Sequence, residues 1–341
     1  MILIGSAIIL LVILLLVIKS ITDYFNLPDL AEHKNIELVI PRGSTPDAIA
    51  DSLFRKGVIE DKKTFMFWLT SLDKDRDLKA GFYDIPLGLT YPQLVTYLTT
   101  ARSKELKVTL IEGWTVGQIA DELSGALQCD RDQIVRLCYD STFIDKLGYK
   151  VNNLEGYLLP DTYYFYWGMG EEDLVRFLVN KTRAIFTDQV MGRLDTLKMS
   201  VHEVLTLASI IEGEALIDAE RDTISSVYHN RLERRIKLQA DPTIQYILDG
   251  PPRRLLYKDL EIDSPYNTYK YYGLPPGPIN NPGTKSILAA IYPAATNYLY
   301  FVARGDGRHT FSKTAREHSR AKAEFDKVRR EVYRKKRLEN K

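Results

Sequence analysis

One pattern, G-x-T-x-x-x-[IL]-[AV]-x-x-L, occurs at Gly43–Leu53 and again at Gly113–Leu123, with a looser copy containing Thr90 at Gly88–Leu98. Each copy follows a short β-like run, at Ile36 to Ile40, Gly81 to Ile85 and Lys107 to Ile111. A glycine turn, a threonine suited to capping a helix, and apolar residues at i, i+4 and i+8 predict strand, turn and helix three times over. Strands this short, alternating with helices, point to an α+β fold.

The N-terminus has a different constraint. Residues Met1 to Ile18 carry no charge, and as a helix at 1.5 Å per residue they reach about 27 Å, close to the roughly 30 Å hydrocarbon core of a membrane. A cleaved signal peptide needs a basic leader and a small-x-small site, and neither is present. An uncleaved anchor is therefore expected. Lys19 after the span, with no basic residue before it, runs mildly against an extracytoplasmic body.

Leu205 to Glu214, LTLASIIEGE, reads as an apolar helix carrying a carboxylate. At about 100° per residue Val201, Val204, Leu205, Ala208 and Ile211 share a stripe and Glu212 falls near its centre. Glu214 points the other way, beside Glu203. Burial disfavours a charged carboxylate and raises its pKa, which suits Glu212 to donating a proton. Alternatively, Gly213 ends the helix and Glu212 reaches solvent. Farther on, helices are expected at Glu171 to Ile185, Asp188 to Leu197 and Ile217 to Arg235, the last with Glu220 facing inward to pair with a cation or to act as an acid. Pro251 to Gly283 is a Pro- and Gly-rich rigid loop able to present Tyr266 and Asn267. Tyr298 to Ala303, Gly305-Asp306-Gly307 and His309 to Ser312 signal a hairpin, followed by a closing helix from Lys313.

Composition excludes rather than identifies. With a net charge of +1 and basic residues clustered only at Lys327 to Arg337, no nucleic-acid partner is expected. Cys129 and Cys138 form neither a metal spacing nor a disulfide framework, and read as two thiols or one bridge. His309, Glu317 and His318 lack metal-ligand spacing, so neither metal nor cofactor is expected.

Several motifs taken in order narrow the function: Glu155-Gly156-Tyr157, Pro160-Asp161-Thr162-Tyr163, Glu220-Arg221-Asp222, Asn230-Arg231-Leu232, Leu238 to Thr243, Ser264 to Tyr269, Gly273 to Ile279, and His309 to Ser312 with Glu317-His318. From about Ile36 to Lys327 the chain resembles the endolytic murein transglycosylases, membrane-bound enzymes that cut peptidoglycan glycan strands. The G-x-T-x-x-x-I-A core is also similar to LysM modules, which bind N-acetylglucosamine-containing glycans, although any strand-turn-helix unit can begin this way.

The resemblance implies a transmembrane anchor at 1–18, a linker at 19–35, a LysM-like repeat region at 36–150, a transglycosylase catalytic domain of mixed α+β structure at 151–330, and a basic tail at 331–341. It implies a single-pass inner-membrane protein whose catalytic domain faces the wall, acting on peptidoglycan glycan strands, with the cell-wall synthesis machinery as a further partner. It also implies cleavage between MurNAc and GlcNAc to leave 1,6-anhydro-MurNAc ends, with Glu212 as general acid and base. Substrate contacts are expected at Glu220, Asn230, Gln239, Asp241, Tyr266 and Asn267, where amides and a ring would hold an acetamido sugar. Two alternatives remain: a two-carboxylate hydrolase using Glu220 or Asp241 as its second acid, or a non-catalytic glycan-binding scaffold.

Overall fold

The computed structural model describes residues 2–25, 34–248 and 250–339, without the side chains of 2–10, 23, 328 and 331–339. The chain is mixed α+β, with many helices and three two-stranded sheets among the described residues. It divides into two compact units, the first formed by Met1–Lys107, Gly125–Cys129 and Tyr164–Met169 and the second by Val108–Ser124, Asp130–Tyr163 and Gly170–Lys341.

In the first unit, α1 (Ile2–Phe25) precedes β1 (Asn35–Ile40), α2 (Pro46–Arg55), α3 (Lys62–Ser71), β2 (Gly81–Pro86) and α4 (Tyr91–Thr100). β1 and β2 pair antiparallel, from Asn35 opposite Pro86 to Ile40 opposite Gly81. Leu38, Ile40, Ile49, Leu53, Phe65, Leu69, Tyr83, Ile85, Leu94 and Leu98 close the core between this ribbon and the helices. The repeat residues act as expected: Thr45 accepts a hydrogen bond from the Ala48 N–H, and Thr90 forms a capping box with Gln93. Gly43, Gly88 and Gly113 all have positive φ, the backbone state that glycine adopts without strain.

The anchor expectation falls in part on Met1 and on side chains outside the described set, and residues 26–33 of the expected linker also lie outside it. Leu11 to Ile18 are exposed along α1. Among the described residues no helix is long and apolar enough to cross a membrane.

β3 (Glu105–Thr109) does not join β1 and β2; it pairs with β4 (Thr162–Tyr166), and the residues of this ribbon are divided between the units. The third copy of the repeat, with α5 (Val116–Leu127), begins in the second unit rather than with the other two. Glu155 explains its setting there. The buried Glu155 carboxylate accepts hydrogen bonds from the Val116 N–H at the start of α5 and from Asn281.

The second unit continues with α6 (Arg131–Tyr139), α7 (Ser141–Lys146), α8 (Glu171–Arg183), α9 (Asp188–Leu197), α10 (Val201–Glu214), α11 (Arg221–Glu233), α12 (Asp241–Ile247), α13 (Thr284–Ile291), the antiparallel hairpin β5 (Tyr300–Ala303) and β6 (His309–Ser312), and α14 (Ala315–Glu339). α10 starts at a Ser200–Glu203 capping box, is buried without interruption from Val204 to Ile211, and contacts α11, α12 and α13. Gly213 does not end it. A Cβ on Gly213 would stand 2.7 Å from the Pro242 Cβ, so glycine is what lets α12 approach the last turn. Cys138 is a buried free thiol, and burial pushes it well above its ordinary pKa.

Candidate active site

Because α10 is buried from Val204 to Ile211, its two terminal glutamates enter different polar surroundings. Glu212, with its side chain 7% exposed, accepts hydrogen bonds from Arg221 Nη1 at 3.0 Å and from the Gly283 N–H at 3.0 Å. Arg221 also donates to Asp218 and Ser286, and its Nη2 lies 3.8 Å from Glu112. Burial, then the charge of Glu212, raises the pKa of Glu112. A Cβ on Gly283 would run into the Glu112 carboxylate, so Gly283 brings its N–H to Glu212 through a close backbone approach. Three carboxylates therefore converge on one guanidinium.

Glu214 does not point to solvent beside Glu203, as helical phase alone suggests. The two share a face but lie three turns apart, about 16 Å along the axis, and only Glu203 sits where that face is open. Glu214 opens onto a cleft of about 460 Å³ that it shares with Tyr228, Gln239, Asp241, Tyr269, His309 and His318. The Tyr228 hydroxyl donates to Glu214 Oε1 at 3.0 Å. Burial, then the charge of Asp241, pushes the Glu214 carboxyl up to about 7, against the hydrogen bonds from Tyr228 and the Asp241 N–H.

The expected binding residues separate into groups. Gln239 and Asp241 line the Glu214 cleft. Asp241 accepts from the Tyr269 hydroxyl, and Gln239, at φ +51°, accepts from Arg231 while its N–H donates to the Thr268 carbonyl. Tyr266 lies instead in a recess of about 260 Å³ with His202, Asn152 and Pro276. Three others act as ties. Glu220 accepts from the N–H of His309 and pairs with its Nδ1 at 2.8 Å, holding the start of β6. Asn230 donates to the carbonyls of Thr296 and Tyr298. Asn267, fully buried, donates to the carbonyls of Leu260 and Ile262 and accepts from the Tyr269 N–H, so its amide faces neither opening.

Glu112 goes unread in the sequence, Glu214 is read there as turned away, Tyr228 only as part of an inward helix face, and Tyr269 only as a member of the Ser264 to Tyr269 motif. A usable signal was present: the run Leu205 to Ile211 is too apolar all round for a helix with a solvent face, so neither glutamate after it could be assigned to water. No group of His, Cys, Asp or Glu suited to holding a metal ion occurs among the described residues.

A carboxyl pushed up to about 7 among tyrosines can both hold and release a proton near neutral pH. The chain belongs to the YceG-like family, whose family model matches residues 38–324. It is 37% identical over 306 residues to a protein of Bacillus subtilis (strain 168) named endolytic murein transglycosylase, covering 85% of this chain and 84% of the relative. The protein of the same name from Streptococcus pneumoniae serotype 2 (strain D39) is 29% identical over 332 residues, which span 87% of this chain but only 59% of the relative. A crystal structure of a YceG-like protein from Listeria monocytogenes aligns with a TM-score of 0.58 at 36% identity, covering 84% of this chain and 98% of that one.

Proposed function

We propose that the chain is an endolytic murein transglycosylase that cuts peptidoglycan glycan strands, with Glu214 as its single general acid and base. The observation that carries the assignment to Glu214 is its place in the cleft with a carboxyl pushed up to about 7. Such a group holds a proton and can also lose it near neutral pH. It protonates the glycosidic oxygen as the bond to the anomeric carbon breaks, and the N-acetyl group shields that carbon. The resulting carboxylate then takes the proton of the same sugar's 6-hydroxyl while O6 bonds to the anomeric carbon. The products are a 1,6-anhydro-MurNAc end and a free GlcNAc hydroxyl, with no water consumed. Gln239 and Asp241 are the nearest candidates for sugar contact, and Tyr266 serves a more distant part of the strand.

Glutamine substitutions decide between the two glutamates. Glu214→Gln should lower strand cleavage by at least about 10² to 10⁴, the worth of general acid catalysis, whereas Glu212→Gln should retain most of it because that carboxylate is committed to Arg221 and Gly283. A dead Glu212 variant beside an active Glu214 variant would return the role to Glu212.

A second reading, the two-carboxylate hydrolase, gains support from the charge of Asp241 acting on Glu214. Product mass separates the two, since anhydro ends are lighter than reducing ends by one water. Anchoring in the inner membrane is supported by the uncharged Met1 to Ile18 and by the exposed apolar side chains Leu11 to Ile18, and a body facing the wall follows from the peptidoglycan substrate alone. Glycan binding by the repeat region rests on the LysM-like G-x-T-x-x-x-I-A core at Gly43 and Gly113.

A further inference from the structure

A second hollow lies close to the Glu214 cleft and has no part in the chemistry above. It measures about 490 Å³, is lined by Asp263, Pro265, Tyr271, Tyr272, Leu274 and Pro276, and so belongs to the rigid Pro- and Gly-rich loop. Two chain segments connect it to the cleft. Tyr269 lines the cleft and Tyr271 the hollow, while Lys237, just before the cleft residues Leu238 and Gln239, holds its Nζ 5.2 Å from the centre of the Tyr272 ring. Pro276 also lines the Tyr266 recess, so the hollow stands next to both openings.

Its rings are exposed yet held. Tyr272 is 68% and Tyr271 47% exposed, an apolar surface that gains by being covered. The Tyr271 hydroxyl donates to Asp263 Oδ1 at 2.6 Å, and the N–H groups of Lys270 and Tyr271 both donate to the carbonyl of the fully buried Asn267. Little ordering is therefore left for a ligand to impose. The lining also selects the ligand: Asp263 pairs with Lys270 at 3.0 Å and Lys237 sits over one face of Tyr272, so these charges have partners within the protein. What remains on offer is aromatic and apolar surface, with a carboxylate and hydroxyls at the edge to accept and donate hydrogen bonds. A pyranose matches this, since its C–H face packs on an aromatic ring while its hydroxyls meet the polar edge, and the volume lies within the roughly 300–1,000 Å³ of small-molecule sites.

We propose that the hollow at Tyr271 and Tyr272 is a further sugar subsite, which holds N-acetylated sugars of the same glycan strand whose scissile bond lies at Glu214. The inference rests on the transglycosylase reading for the identity of the strand. It gives Asn267 a positioning task, because the buried amide fixes the backbone from which Tyr271 projects.

The test uses the full chain with Tyr272→Ala, which removes a ring, and Tyr272→Trp, which keeps one. At so exposed a position both should keep the wild-type melting temperature. On long glycan strands the Ala variant should raise KM roughly fivefold to tenfold with kcat unchanged, the scale of one ring contact, and the Trp variant should stay within about threefold of wild type. An unchanged KM, a fall confined to kcat, or a Trp variant as impaired as Ala overturns the subsite. Titration of wild type, its tyrosine rings isotope-labelled, with the N-acetylglucosamine hexamer supplies sugars without peptide stems, and should shift the Tyr272 ring signal, which is identified by its loss in Tyr272→Trp. Wild type that binds the hexamer and shifts Tyr272 but never cuts strands would refute the transglycosylase reading and leave the subsite standing. Wild type that cuts strands while the hexamer leaves Tyr272 unmoved would refute the subsite alone, and wild type that neither binds nor cuts would refute both.

Discussion

Tyr228, fully buried on α11, donates its hydroxyl to Glu214 on the last turn of α10 at 3.0 Å. That bond favours the charged carboxylate and works against burial and the neighbouring Asp241, which favour the protonated acid. The balance leaves the group near neutrality.

Tyr228→Phe removes one of the hydrogen bonds that lower the Glu214 pKa, so the pKa should rise. The alkaline limb of the kcat–pH profile, where an acid catalyst loses its proton, should move to higher pH. Stability should drop by about 1 kcal/mol for the lost hydrogen bond. A pH–rate series on both proteins checks the direction, and an unmoved or lowered alkaline limb would mean that Tyr228 does not tune the acting acid.

Glu155 carries a pH effect on stability. Burial pushes its carboxyl up to about 8 from an ordinary value of 4.5, so the folded state binds its proton more tightly than the unfolded chain. The protein should be most stable below about pH 4.5 with respect to this group, and should lose that stability as pH rises through about 8, by a few kcal/mol. Glu155→Gln removes the titration. Urea melts at pH 6 and pH 9 should show a smaller difference in the variant than in wild type; equal differences would show that Glu155 does not titrate in this window.

Gly213→Ala sets two effects of opposite sign against each other. Helix propensity alone favours alanine by about 1 kcal/mol. The added Cβ would meet Pro242 at 2.7 Å, and relieving such a clash costs about 1–3 kcal/mol. The clash should win, giving a lower melting temperature, and displacement of α12 should carry Asp241 away from Glu214 with a loss of turnover. A more stable variant would mean that α12 yields freely.

Arg221→Ala leaves Glu212, Glu112 and Asp218 facing one another without their shared cation. Because Glu212 and Arg221 have side chains only 7% and 8% exposed, removal should destabilise the protein by roughly 3 kcal/mol, the range for one partner of a buried pair. Chemical denaturation measures it, and a loss below about 1 kcal/mol would place this pair with surface ion pairs.

Much of the local structure was legible because it depends on neighbours in the chain. The glycine–threonine starts of α2 and α4, the hairpin at 300–312, and α8 and α9 obey turn, cap and period rules that act over a few residues. The inward phase of Glu220 left open a cation partner or an acid's role; in the structure Glu220 accepts from the His309 N–H and meets its Nδ1. Asn267 was misjudged for a reason of the same kind: its polarity could be read from the sequence, but the carbonyls of Leu260 and Ile262 that consume it could not.

What the sequence determined by itself was the α+β character, the order of most elements, and an apolar helix ending in two glutamates. Which glutamate faces a cleft was decided only by tertiary packing. Helical phase describes the direction of a side chain around one axis, whereas exposure depends on what covers that direction at each turn. α10 is enclosed by α11, α12 and α13, so the same face that leaves Glu203 in solvent places Glu214 beside Tyr228 and Asp241, while Arg221 and Gly283 take Glu212.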